Sequence, residues 1–305
     1  MYSLSIVIPV YNEENSIVST IDNINAMMAK TEIDYELIIV NDGSSDGTSQ
    51  RLHEYKGYFK LVEHQYNKGY GAALKTGILA STHEVIAITD ADGTYPIEYI
   101  PEMFKEAENY NMVVGKRPFK QLPTMTKPAK WFITRLASYL AEFKIPDINS
   151  GLRVFWKKDA LRFFHIIPSG FSFTTTITLS MLTSELEVKY MPIEYMKREG
   201  KSKIRPFYDT LNFIQLIVRT IVYFNPLKVF IPASLILALI GVILFVASYV
   251  WLPYVLNSTV AIIMISAIQI LAIGVLADLI NRKGNAASFS QINSLIEYHK
   301  KENKQ

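Results

Sequence analysis

From Val229 through Ala277 the chain carries no Asp, Glu, Lys or Arg, a run of 49 residues. One membrane-crossing helix needs about 20 apolar residues, so the tract is too long for one helix and right for two. The stretch WLPYVLNST (251–259) holds Pro, Asn, Ser and Thr where a hairpin turn belongs. Arg219 and Lys228 precede the tract, Arg282 and Lys283 follow it, and the turn is uncharged. The positive-inside rule then predicts a multi-pass protein of the cytoplasmic (inner) membrane, with both termini in the cytoplasm. The opening MYSLSIVIPV lacks a basic start, and Pro9 follows too few apolar residues for a cleavable signal. The absence of cysteine excludes disulfides and thiolate metal sites, which fits a cytoplasmic domain. A net charge of +3, with no arginine-rich arm or aromatic ladder, gives no case for nucleic acid.

Before that tract, strand-like and helix-like segments alternate. LSIVIPVYN (4–12) and YELIIVND (35–42) read as buried strands ending in polar residues, with further strands near 59–63, at 85–90 and at MVVG (112–115). Helices are predicted over 13–30, 46–56, 70–81 and 96–110, the first from Ile17, Ile21, Ile24 and Met28 at helical spacing. Alternation of this kind implies an α/β fold with a mainly parallel sheet covered on both faces. Ligands bind such sheets beyond the carboxyl ends of the strands. Asn12, Asp42, Asp90 and Asp92 all fall at those ends.

The sharpest of these ends is VIAITDADGTYP (85–96). Successive side chains of a strand point to opposite faces, so Asp90 and Asp92 are expected to share one face and Ala91 to turn away. A solvated loop with a capping aspartate would account for an isolated D-x-D. Two carboxylates so close, however, repel unless a cation or protons offset their charge. Hard oxygen ligands favour Mg²⁺ or Mn²⁺. Two later segments are amphipathic. Residues 128–143 place Phe132, Leu136, Tyr139, Leu140 and Phe143 on one helical face, ringed by Lys127, Lys130, Arg135 and Lys144. Residues 207–224 repeat the pattern and run straight into the uncharged tract. Beside a membrane hairpin, such basic-flanked helices are expected to lie in the interface.

Six motifs occur in order: IPVYNEE (8–14), VNDGSSDGT (40–48), NKGYGAALKTG (67–77), TDADGTYP (89–96), NSGLRVF (149–155) and KREGKSKI (197–204). Together they resemble the family-two inverting glycosyltransferases, in particular the polyprenyl-phosphate branch that includes dolichyl-phosphate mannose synthases and bacterial polyprenyl-phosphate glucosyltransferases. The resemblance implies a GT-A (nucleotide-diphospho-sugar transferase) domain over 1–205, cytoplasmic, with an interfacial helix at 128–143. A juxtamembrane helix at 206–226, transmembrane helices at 227–252 and 259–281 and a cytoplasmic tail at 282–305 complete the expected organisation. By the same resemblance Pro9, Tyr11, Glu13 and Asp42 line a nucleoside pocket, and Asp90, Ala91 and Asp92 meet the diphosphate and the metal. Arg117, Ser150 and Arg153 meet phosphate near the transferred sugar. Self-association through the two-helix anchor is expected as in the similar glucosyltransferases.

The implied reaction has its own chemical logic. A nucleotide-sugar donor and a polyprenyl-phosphate acceptor bring several negative charges to one spot, and their meeting requires cations. Candidates are the metal at Asp90 and Asp92 together with Arg117, Arg153, Arg198, Lys201 and Lys203. Asp92, Arg117 and Arg153 are the candidates nearest the chemistry. A lipid phosphate is already ionised and needs little help from a general base. In agreement, no carboxylate lies between Asp159 and Glu185, and FSFTTTITL (171–179) occupies the region where relatives that glycosylate hydroxyls place an acid; Asp147 or Asp92 would be the nearest substitute. The glycines of NKGYG are read as admitting close packing of a helix on the sheet, with a phosphate cradle as the alternative. One departure from the family is Gly93-Thr94, where the synthase branch has Leu-Gln, which puts a third protein ligand for the metal in question. Two other functions compete: a processive polysaccharide synthase, whose QxxRW signature is matched here only by the misspaced QLIVR (215–219), and a non-catalytic membrane scaffold that kept the fold.

Overall fold

The computed structural model describes residues 2–118, 127–170, 172–194, 206–251 and 257–302. The chain divides into two compact units, Met1–Ile217 and Val218–Gln305.

The first unit is built on a seven-stranded sheet: β1 Leu4–Val10, β2 Tyr35–Asn41, β3 Lys60–Glu63, β4 Val85–Ile88, β5 Met112–Lys116, β6 Arg153–Trp156 and β7 Val188–Pro192, in the order β3-β2-β1-β4-β6-β5-β7. β1 pairs in parallel with β2 and β4, so Ile6 lies between Leu37 and Ala87; β2–β3 and β5–β7 are also parallel. β6 alone runs against its neighbours β4 and β5. The sheet is therefore α/β and mainly parallel. Every residue of β1 is buried, as are Leu37–Asn41 of β2 and all of β4, because helices cover both faces and each apolar run is removed from water on both sides.

Helices α1 Ile17–Met28, α2 Thr48–Glu54 and α3 Tyr70–Ala80 fill the crossovers between the first four strands. Ile17, Ile21, Ile24 and Met28 of α1 are buried, the face their spacing predicts. A single 3-10 turn, Ile97–Tyr99, leads into α4 Ile100–Glu106; α5 Lys127–Ala141, α6 Lys157–Arg162 and α7 Phe173–Thr183 follow. The strands β6 and β7 and helix α7 lie where the sequence pattern is irregular. β6 hides behind Arg153, a charged residue wholly buried in a central position of the sheet. α7 is covered from Phe173 through Leu182, so its five threonines and one serine break no amphipathic stripe; the helix has no wet face to mark it.

Beyond the sheet, α8 spans Pro206–Phe224. In the second unit α9 Leu227–Trp251 and α10 Asn257–Glu302 contain two segments, Leu227–Val250 and Asn257–Asn281, long and apolar enough to cross a membrane. Most of their residues are exposed, unlike the helices of a soluble core. The two pack closely where side chains are absent: a Cβ on Gly241 would approach Met264 Sδ to 3.0 Å, and one on Gly274 would come within 2.4 Å of Phe230 Cβ. Asn281 Nδ2 donates to the carbonyls of Val222 (3.2 Å) and Tyr223 (2.7 Å), groups that the end of α8 leaves without helical partners. α10 continues through 282–302 without a break, so the expected tail extends the second apolar helix. The turn residues 252–256 lie outside the described residues.

Gly77 shows how tightly α3 sits on the sheet. A Cβ there would lie 2.3 Å from Val7 Cγ1 and 3.1 Å from Val40 Cγ2. Gly77→Val is expected to destabilise the protein by about 3 kcal/mol, the upper range for overpacking a core. Denaturant unfolding in detergent followed by tryptophan fluorescence measures it.

Candidate active site

The carboxyl ends of β1 and β2 are sewn together by polar side chains. Asn12, at φ +57°, accepts the Ser45 N–H on Oδ1 (2.8 Å), and its own N–H donates to Ser44 Oγ (3.0 Å). Glu13 N–H donates to Thr48 Oγ1 at 2.9 Å, and Glu14 Oε2 accepts the Gly47 N–H at 2.9 Å. Glu13 Oε2 accepts a hydrogen bond from Ser16 Oγ (2.9 Å) in the first turn before α1. Tyr11 is exposed beside this loop, while Pro9 lies within β1.

Asp42 is buried at 2% exposure and saturated with donors. Its carboxylate accepts the backbone N–H groups of Lys68 (2.9 Å) and Gly69 (2.8 Å), and Oδ1 stands 2.7 Å from His64 Nδ1. Two backbone amides and an imidazole thus satisfy the hydrogen-bonding capacity of a buried carboxyl group. His64, whose place in the sequence carries no motif, orients this acid and is itself 2.9 Å from Thr76 Oγ1. Nearby, Asn41, Ser44, Glu63 and His64 line a cleft of about 330 Å³. Asn41, Ser49 and His53 bond to Glu63; burial pushes its carboxyl up, but these bonds outweigh burial and hold it below the ordinary value.

Asp90 and Asp92 do not sit on a strand. β4 ends at Ile88, and the pair occupies the turn that follows. Strand alternation therefore does not orient them; local hydrogen bonds do. Asp92 Oδ1 accepts the Thr94 N–H (3.1 Å) and hydroxyl (2.6 Å), and Gly93 between them adopts φ +68°, a conformation that favours glycine. Thr94 is 2% exposed and turned onto Asp92, so Gly93-Thr94 serves to shape the turn. Asp90 Oδ1 accepts the Tyr70 hydroxyl at 2.9 Å. Ala91 is buried, and its carbonyl accepts the Thr20 hydroxyl at 3.0 Å. Among the described residues no cluster of three or more His, Asp or Glu could hold a metal. Two partly exposed carboxylates still fit Mg²⁺ or Mn²⁺, which commonly take one or two protein carboxylates and complete their shell with substrate phosphate and water.

Two of the cations expected on phosphate, Arg117 and Arg153, are engaged by protein groups. Arg117 grips Asp147 through two parallel bonds, Nε to Oδ2 at 2.7 Å and Nη2 to Oδ1 at 2.8 Å, and its N–H also reaches Oδ2 (3.2 Å). Burial raises the Asp147 carboxyl, but the Arg117 hydrogen bonds and charge outweigh it, and the group is held below its ordinary value. Arg153 has no exposed surface: Nε donates to Ser150 O (2.8 Å), Nη2 to Ile148 O (2.9 Å) and Nη1 to Thr178 Oγ1 (2.5 Å). The expected phosphate contact of Arg153 is thus corrected by its burial: it braces the 148–150 loop against α7. Ser150 is equally buried, with no hydrogen bond on its hydroxyl. Arg198, Lys201 and Lys203 lie outside the described residues.

The start of α3 is closed to a phosphate. Gly71 N–H donates to Gly170 O (3.1 Å) and Ala72 N–H to Ser169 O (2.8 Å). A Cβ on Gly71 would stand 2.4 Å from Pro168 O, so this glycine admits the 168–170 loop, whereas Gly77 admits the sheet.

Comparison with known proteins accords with this geometry. Residues 5–172 match the model of glycosyl transferase family 2, and residues 225–282 match the GtrB C-terminal hairpin. The chain belongs to glycosyl transferase family 2, and its first unit has the GT-A-type α/β fold. A dolichyl-phosphate hexose transferase of Haloferax volcanii is 29% identical over 208 residues, covering 67% of this chain and 87% of that protein. An undecaprenyl-phosphate 4-deoxy-4-formamido-L-arabinose transferase of Proteus mirabilis is 29% identical over 250 residues, 79% of this chain and 74% of the relative. Of a dodecaprenyl-phosphate galacturonate synthase from Rhizobium johnstonii, 30% identical, the chain spans about half, 47%. Among solved structures, Mycobacterium tuberculosis glucosyl-3-phosphoglycerate synthase with Mn²⁺, UDP-glucose and phosphoglyceric acid superposes with a TM-score of 0.57 at 17% identity, over 72% of this chain and 80% of that one.

Removing one member of a buried ion pair strands the other, so Asp147→Asn is expected to cost about 3 kcal/mol of stability. Because the folded carboxyl lies below its unfolded value of 3.8, the pair's contribution is complete above that pH and fades as pH falls through the lower folded value. Unfolding of the wild type should therefore ease steeply in acid below pH 3.8, and the Asn variant should show a shallower fall.

Proposed function

We propose that this protein transfers a hexose from a UDP- or GDP-sugar to a polyprenyl phosphate at the cytoplasmic membrane face, with inversion at the anomeric carbon. The observation that carries the reading is the union, in one chain, of a family 2 domain bearing the Asp90–Asp92 turn with a hairpin of two apolar helices. The polyprenyl-phosphate specificities in the names of the relatives support the acceptor class. Basic residues at both outer ends of the hairpin and none in its turn support the cytoplasmic orientation. Trp131, which lies against Arg135, and Tyr139 and Phe143, all exposed on and just after α5, support an interfacial role for that helix.

The acceptor phosphate attacks the anomeric carbon as the bond to the nucleotide diphosphate breaks. No carboxylate stands on 160–184, and Asp147, already holding Arg117 and held ionised, is a poor proton acceptor; both facts suit a nucleophile that arrives deprotonated. Asp90 and Asp92 would hold Mg²⁺ or Mn²⁺, which when bound offsets charge on the departing diphosphate. The 11–14 and 42–48 loops provide the nucleoside side of the site, with Tyr11 offering an exposed ring and Glu13 a carboxylate. The basic segment 197–203 would gather the lipid phosphate.

Membranes containing the protein, supplied with nucleotide sugars and undecaprenyl or dolichyl phosphate, should form an organic-soluble lipid-linked monosaccharide. Asp92→Ala should lower that transfer by at least about 100-fold, a loss typical of groups that stabilise transition-state charge. An insoluble polymer would support the processive alternative, and no nucleotide-sugar binding would support the scaffold. Full activity of the Ala variant would remove the metal from the reading.

A further inference from the structure

The turn that opens α3 touches two acids through consecutive residues. Lys68 and Gly69 give their N–H groups to Asp42, and the next residue, Tyr70, gives its hydroxyl to Asp90 Oδ1 at 2.9 Å. The turn is held from the far side as well. Gly69 adopts φ +99°, Gly71 and Ala72 donate to carbonyls of the 168–170 loop, and Lys75 Nζ donates to the carbonyls of Phe164 and Ile167. The Tyr70 hydroxyl therefore comes from a fixed base.

Asp90 meets a second wall opposite that hydroxyl. A Cβ on Gly151 would lie 2.8 Å from Asp90 Oδ2 and 3.0 Å from the Tyr95 ring. Gly151 is itself fixed, its N–H donating to the buried Tyr95 hydroxyl at 2.7 Å. The carboxylate thus lies in a slot, with one oxygen bonded to a phenol and the other close to the Gly151 backbone, where a Cβ would crowd it.

We propose that Tyr70 is a positioning residue for the cation-binding carboxylate Asp90, and that the Lys68–Tyr70 turn sets Asp90 in register with Asp42. The proposal rests on the reading that Asp90 and Asp92 take a divalent cation. A carboxylate free to rotate must be ordered before it can bind, and affinity falls by the fraction of time spent in the competent rotamer. Loss of such an outer hydrogen bond commonly weakens metal binding about 10- to 100-fold. Because a phenol is neutral, removing it leaves the charge of the site unchanged. Its effect should therefore fall on cation affinity and not on turnover once the cation is saturating.

The test is Mn²⁺ binding to the full-length protein in detergent, followed by the electron paramagnetic resonance signal of free Mn²⁺, with UDP and separately GDP present. Tyr70→Phe should weaken binding about 10-fold, raise the Mn²⁺ concentration for half-maximal transfer in step, and recover turnover to within about threefold at saturating Mn²⁺. Gly151→Ala, which crowds Asp90 from the other wall, should also weaken Mn²⁺ binding and serves if the phenylalanine variant does not fold. Wild-type Mn²⁺ affinity in a folded Tyr70→Phe protein overturns the proposal, as does wild-type affinity in Gly151→Ala should that variant be needed. A wild-type protein that binds no Mn²⁺ with either nucleotide overturns the cation reading itself.

Discussion

The arrangement at the carboxyl edge of the sheet depends on holding acids close together without letting them drift or repel one another apart. Parallel strands deliver Asp42, Asp90 and Asp92 to the same edge, and backbone amides and hydroxyls then fix each in place. Lys68 and Gly69 N–H groups hold Asp42, Tyr70 holds Asp90, and Thr94 holds Asp92. These donors are neutral, so they orient the acids without adding a positive charge to the edge that a divalent cation would meet. The same logic runs through the neighbouring loops, where Asp46 and Glu14 accept bonds from Thr48 and Gly47.

The start of α3 ties this rim to the rest of the domain. Its first N–H groups go to the 168–170 loop, its Lys75 to carbonyls just before that loop, and its Gly77 to the sheet. That loop leads directly into α7, and α7 in turn supplies Thr178 to Arg153 and Thr175 to Asn149. Burial lowers the tendency of Arg153 to stay charged, and the surrounding tyrosines and Asp147 partly restore it. A buried guanidinium with two carbonyls and a hydroxyl on it is costly to disturb, so the 148–150 loop is held firmly beside Gly151, whose backbone lies against Asp90.

Much of this was legible in the sequence. The strands β1, β2 and β4 and helix α1 announce themselves by apolar runs and helical spacing, because burial on two faces or one leaves a direct compositional trace. So do the apolar helices of the second unit. Less legible were β6, β7 and α7, where a buried arginine, a short strand and a threonine-rich helix carry no periodic signal. NKGYG reads as glycines that admit a helix close to the sheet, with a phosphate cradle as the alternative; the approach of Pro168, Ser169 and Gly170 to Gly69 and Gly71 shows packing, but against this loop and not the sheet. Arg117 and Arg153 show the same limit. As residue types they fit phosphate, yet one is paired with Asp147 and the other is enclosed, because a partner 30 residues away in one case and on helix α7 in the other reaches them.

The sequence by itself determined the alternating α/β order, the acids at the strand ends and the charge-free hairpin, all of which follow from local spacing and from the cost of placing charge in an apolar medium. Only the tertiary structure decided which donors those acids receive, that the aspartate pair sits on an Asx-type turn beyond β4, and that Tyr70 reaches Asp90. Hydrogen-bond partners twenty or more residues apart depend on how elements pack, and packing distances leave no period in the chain.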